Sequence, residues 1–215
     1  MQDLRVRNSN LDGSYSLRGQ YQLTASTGAV TTIAAATTTA GFLFSWQWTS
    51  ATNKAWLRYV GAKFICTTAY STAQETAADL IVARAYTVAC TGGTAIDTGL
   101  TITGSGKSQT SQLASLVADC RIATSAALTA GTHTLDANAL AVVSGYTSAV
   151  GITVPPAPTP GQEVLFDARD SSQRTPLEFS ANEGFIIRNK TLMGSAGVGR
   201  WDFTVIWEEG VPNRT

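Results

Sequence analysis

The run Arg200-Trp-Asp-Phe-Thr-Val-Ile-Trp-Glu208 constrains this chain more than any other segment. In an extended backbone Trp201, Phe203, Val205 and Trp207 fall on one side, and Asp202, Thr204, Ile206 and Glu208 on the other. A period of two in aromatic and β-branched residues predicts a half-buried antiparallel strand. A second run, Gly184 to Leu192, precedes it, and the glycine-rich stretch Met193–Gly199 between them has enough conformational freedom to turn the chain. The expectation is a hairpin that closes a β-sandwich.

The same alternation recurs upstream. In Gly41–Thr49, Phe42, Phe44, Trp46 and Trp48 alternate with Leu43, Ser45 and Gln47. Such a row reads as core, with a sugar-stacking platform as its functional alternative. Trp56–Val60 and Lys63–Thr67 read as one long strand bent near Gly61, and Ala78–Val88 as another. Val164–Ala168 and Leu177–Phe179 supply two more, and Thr31–Ala34 a weaker one. One or two short helices are expected among these strands. One falls within Lys107–Ala127, where Leu113, Leu116 and Val117 have helical spacing; the other is Ala137–Val143, with Asp136 at its N-cap. Four of the six prolines lie in Val154–Gly161, an extended surface crossover. About eight strands with long connections predict an all-β chain with a jelly-roll-like antiparallel β-sandwich. Residues 1–20 are polar and read as an extended N-terminal arm, with 21–215 as a single sandwich domain.

Composition narrows the function. Only 14% of residues are charged, and Thr and Ala fill the gap; Lys+Arg and Asp+Glu are both 15. A nucleic-acid binder usually carries a basic excess to neutralise phosphates, and none is present. A nearly neutral surface with few charges favours self-association, so partners are expected to cover much of it. Cys66, Cys90 and Cys120 are odd in number and widely spaced, which predicts free thiols in a reducing compartment. No signal-peptide pattern opens the chain and no run of eighteen apolar residues occurs, so a soluble protein made in a cytoplasm is expected, with no membrane partner.

Each candidate chemistry meets an ordinary explanation. Gly104-Ser-Gly-Lys-Ser108 resembles part of a phosphate-binding loop, but GxxxxGK[ST] needs a glycine where Thr101 stands. It reads as a glycine-rich surface loop. His133 is the only histidine, with Asp136 three residues on; a triad can be drawn, although a solvated loop histidine is the simpler reading. Glu208 and Glu209 are neighbours, so a strand sends them to opposite faces and they cannot form a glycosidase pair. Glu163, Asp167, Asp170, Glu178 and Glu183 lie among Arg169, Arg174 and Arg188, as in ordinary ion pairing. Neither a cofactor nor a metal is implied.

Several segments together resemble a family of tailed-bacteriophage virion proteins. They are Phe42–Thr49 with Leu57–Val60, Arg121–Leu128, Gly131–Asp136, and Leu177–Arg188 with the closing Trp201–Glu209 strand. The run Ala181-Asn-Glu-Gly-Phe-Ile-Ile-Arg188 is the most specific of these. The resemblance implies an all-β virion component: a capsid decoration or cement protein, homotrimeric, bound to the major capsid protein on the outside of the shell. A tail, baseplate or fibre component, a jelly-roll shell subunit, and a glycan-binding attachment module using exposed tryptophans are the alternatives. The arm lies outside the resemblance. Its Arg5, Arg7 and Arg18 are expected, from their charge and position alone, to touch the capsid or a neighbouring subunit.

Overall fold

The structure is a computed structural model that describes residues 15–29, 41–96, 107–108, 115–147, 163–169, 175–191 and 197–212. Among the described residues, thirteen strands form two antiparallel sheets packed as a sandwich. They are β1 (Tyr15–Ser26), β2 (Phe42–Trp48), β3 (Lys54–Thr68), β4 (Glu75–Val88), β5 (Thr94–Ala95), β6 (Lys107–Ser108) and β7 (Asp119–Ile122). There follow β8 (Thr132–Leu135), β9 (Ala141–Tyr146), β10 (Glu163–Asp167), β11 (Leu177–Phe179), β12 (Glu183–Asn189) and β13 (Val198–Pro212).

One sheet runs β10-β3-β13-β1-β6, with β11 also on β3; the other runs β5-β7-β2-β12-β4-β8, with β9 also on β4. The pairing has a simple rule. β1 pairs with β13, β2 with β12, β3 with β10, and β4 with β8 and β9. The first half of the chain thus meets the second half in reverse order, as in one long hairpin rolled into two sheets. That is the connectivity of a jelly roll. The residues between β4 and β8 are an addition to it: they supply β5 and β7 to one sheet and β6 to the other.

The two aromatic rows face each other across the sandwich. Trp46 of β2 meets Trp207 of β13 edge-on at 6.1 Å between ring centroids, and Phe44 meets Phe203 at the same separation. Trp46 also packs on Phe185 and Phe179 at 5.5 and 5.2 Å. All five tryptophans are buried. The row in β2 is therefore core, and none of the tryptophans offers an exposed stacking face.

Three expectations are corrected. β12 and β13 do not form a hairpin: β12 lies between β2 and β4, while β13 lies between β1 and β3 in the opposite sheet. The two strands belong to opposite sheets, so each aromatic face reaches the shared core from its own side. Neither helix is present among the described residues. Asp119–Ile122 and Ala141–Tyr146 are strands, and the Asp136 carboxylate binds Arg84 instead of capping a helix. Leu113 lies outside the described residues, as do Thr31–Ala34 and Val154–Gly161. Finally, residues 15–20, expected in the arm, open β1. β3 is one long strand as expected; its register against β13 shifts at Arg58 and at Thr67, and its pairing with β10 shifts opposite Val60 and Gly61.

Among the described residues, two that are not glycine adopt left-handed backbone. Asn182 (φ 61°) turns the chain between β11 and β12, where Asn tolerates a conformation most side chains avoid. Its N–H donates to the Trp48 carbonyl at 2.8 Å, and its carbonyl accepts from the Tyr86 N–H at 2.7 Å. Ala85 (φ 50°) lies within the register shift of β4 against β8.

Candidate functional site

Charge in this sandwich is largely closed on itself. Arg58 and Glu208 form a buried pair, with the guanidinium Nε and Nη2 donating to one carboxylate oxygen at 2.8 and 2.5 Å. Glu209, on the opposite face of β13, is fully buried; it accepts from Ser115 Oγ at 2.5 Å, the Leu116 N–H at 3.0 Å and Trp207 Nε1 at 3.0 Å. The two glutamates diverge as strand geometry requires, and each is bound by structural donors. Arg188 donates twice to Asp79, at 2.9 and 2.6 Å. Arg169 binds Asp167 at 2.6 Å and lies 3.9 Å over the Tyr59 ring; its hydrogen bonds hold the Asp167 carboxyl below the usual range. Glu178 and Glu183 pair with Lys54 and Arg84 respectively. Asp170 and Arg174 lie outside the described residues.

The one histidine occupies a groove of about 410 Å³ on the outer side of β4 and β8, lined by Ile81, Ala130, His133, Leu135, Asp136 and Arg188 among others. His133 is a strand residue and not a solvated loop residue: its ring lies 4.8 Å from Tyr86, edge-on, and 5.8 Å from Phe42. Burial lowers its pKa from the ordinary 6.5, and Nδ1 is buried without a partner. The triad does not assemble. Asp136 is held by Arg84, at 2.8 and 3.2 Å, and among the described residues no serine, threonine or cysteine lines the groove. Tyr86 itself donates to Cys90 Sγ at 3.1 Å, and burial raises its phenol. The three cysteines are free, as expected.

The phosphate-loop fragment resolves similarly. Lys107 and Ser108 form β6, paired with Gln22 and Tyr21, and Gly104–Gly106 lie outside the described residues. A strand at those positions is the opposite of the helix start that such a loop requires. Of the residues expected to contact a partner, Arg18 belongs to β1, while Arg5 and Arg7 lie outside the described residues.

What remains uncommitted is an edge. β9 pairs only with β4, over six consecutive positions from Ala141↔Leu80 to Tyr146↔Glu75 without a bulge. Ala141, Val143 and Gly145 turn inwards, whereas Val142 is 46% and Tyr146 72% exposed. Leu140 continues this outer row, and Val164 of the adjacent β10 is also exposed. Between the two strands lies a cavity of about 40 Å³, lined by Lys63, Tyr146, Glu163 and Trp201 among others, where burial raises the Glu163 carboxyl. From Ala137 to Gln162 the chain carries no charged residue. Sequence reasoning missed this edge because alanine and leucine spacing suggested a helix there. The signal that could have found it is the alternation Val142, Ser144, Tyr146 inside an uncharged stretch.

Compared with protein-family models, curated proteins and solved structures, the chain matches none.

Proposed function

We propose that this protein is a structural component of a tailed-phage virion, a capsid decoration protein that stabilises the shell by binding across its subunits. It makes and breaks no covalent bond; it works through repeated weak contacts that symmetry multiplies into avidity. The observation that carries this reading is the contrast within the described surface: ionic groups are tied into structural pairs, while an uncharged apolar edge stands open on a rigid jelly roll. A jelly roll suits shells, and it also serves lectins and enzymes, so the fold alone does not carry the reading. The partner on this reading is the major capsid protein, met from the outside of the head.

The test compares phage particles assembled with and without this chain. Particles lacking it should lose their packed DNA at lower temperature, and added purified protein should restore the difference and label the head over its whole surface. Label confined to the tail would assign the protein to tail or fibre instead. Particles that neither bind it nor change in heat resistance would remove the decoration role.

A further inference from the structure

The open edge of β9 specifies its occupant through its backbone. The Thr147 N–H donates to the Gln74 carbonyl at 2.8 Å, so positions 147, 145 and 143 direct their backbone groups at β4. Antiparallel alternation then turns the N–H and C=O of Val142, Ser144 and Tyr146 away from β4. No described strand pairs with β9 on that side. A row of unpaired donors and acceptors at strand spacing is met in full by another extended backbone.

The other outer strands are defended. β5 has two residues and β8 four; β6 carries Lys107; β10 carries Glu163 and Asp167; β11 carries Glu178, bound to Lys54. β9 has none of these protections: six regular residues, no charge, no proline and no bulge.

We infer that β9 pairs with β9 of a second copy of this chain, antiparallel about a two-fold axis at Ser144, so that the sheet containing β4 runs on through both molecules. Charge selects this occupant. A two-fold pairing sets each side chain against a symmetry mate, and a charged strand would oppose its own sign; Ala141–Tyr146 is complementary to itself because it carries none. The register follows from the backbone. Residues with outward groups form the hydrogen-bonded pairs, so Ser144 faces the partner's Ser144 and Val142 faces the partner's Tyr146, twice over. Aromatic against β-branched is a favourable cross-strand pair. This contact is two-fold, unlike the three-fold one that the sequence resemblance implies. It stands apart from the virion reading, because it concerns the isolated protein.

Position 144 offers opposite tests on one exposed residue. Sedimentation of the full chain over a range of concentrations should show a reversible dimer. Ser144→Lys and Ser144→Glu, each alone, should be monomeric, and an equal mixture of the two should recover the dimer. Ser144→Cys should cross-link under mild oxidation, since hydrogen-bonded antiparallel partners sit about 5.5 Å apart at Cα, inside the range a disulfide spans. A monomeric parent protein overturns the inference. So does an oligomer that survives Ser144→Lys, or a lysine and glutamate mixture that stays monomeric. Loss of the dimer with capsid binding intact would leave the proposed function standing, and the reverse would leave this contact standing.

Discussion

The two lateral edges of the sandwich are treated in opposite ways. On one side, the stretch between β4 and β8 folds across both sheets and closes them. Ala118 donates to the Gln47 carbonyl at 3.0 Å, Ala123 to Leu43 at 2.8 Å and Leu128 to Phe42 at 2.9 Å, while Gly28 reaches from the end of β1 to Ala123 at 3.0 Å. A side chain on Gly28 would overlap the Thr124 carbonyl, 1.5 Å from where its Cβ would stand, so only glycine permits this closure. On the other side, no described strand pairs beyond β9 or β10. Unpaired strand edges invite association, and on this side β9 presents one with no charge.

The largest expected effect breaks the closed side. Glu209 is the buried acceptor that draws Ser115 and Leu116 against the end of β13. Glu209→Leu leaves three donors without an acceptor, at a cost of about 1–3 kcal/mol for each buried group left unsatisfied, less whatever relaxation recovers. A total loss of about 3 kcal/mol or more is expected in urea unfolding, with Glu209→Gln losing less. A loss under about 1 kcal/mol would mean that this carboxylate does not anchor the closure.

Much of the fold was legible in the sequence because the strongest strands are amphipathic. The rows Phe42/Phe44/Trp46/Trp48 and Trp201/Phe203/Val205/Trp207 were readable as faces, and they do form the core. Which sheet each strand joins was not legible. Alternation reports that one face is buried but not which neighbour buries it, so β12 and β13 read as a hairpin when they belong to opposite layers. The helix expected at Ala137–Val143 failed for a related reason: in a short alanine-rich segment, tertiary pairing with β4 overrides weak local propensity. Of the candidate site, the divergence of Glu208 and Glu209 was derivable from strand geometry alone. The open edge was not, since a free edge is a property of the assembled sheets.

A second, smaller effect concerns the point where β4 turns towards the closing stretch. Ala85 holds φ 50°, a conformation that costs a residue with a Cβ roughly 1–2 kcal/mol and glycine almost nothing. Ala85→Gly should therefore raise stability by up to about 1 kcal/mol once the entropy of the freer unfolded chain is subtracted. A decrease, measured as a lower urea midpoint, would show that the methyl group packs well enough to outweigh the strain.

The third effect is a pH dependence at the groove. Burial lowers the His133 pKa below 6.5, so just below that value the unfolded chain binds a proton that the folded chain refuses. Stability from this source is full above pH 6.5 and falls as acid is added towards the folded pKa. Asp136 lies close in sequence and lines the same groove, but Arg84 already binds it. His133→Phe should flatten stability between pH 6.5 and the onset of carboxylate titration. A slope unchanged in that variant would place its origin elsewhere.

The smallest effect sharpens the contrast between the edges. Leu43 on the closed side is fully buried at the register shift of β2 against β12, where the closing stretch binds its carbonyl through the Ala123 N–H. Val142, on β9, is 46% exposed. Lysine at position 43 has to bury a charge, whereas lysine at 142 stays in water, where substitutions usually change stability by no more than about 0.5 kcal/mol. The measurement belongs in the Ser144→Lys background, so that self-pairing does not enter the unfolding curve. There, Val142→Lys should leave the urea midpoint nearly unchanged. A large loss from Val142→Lys in that monomeric background would mean that another part of the same chain covers β9. The edge would then be closed, and the asymmetry between the two sides would vanish.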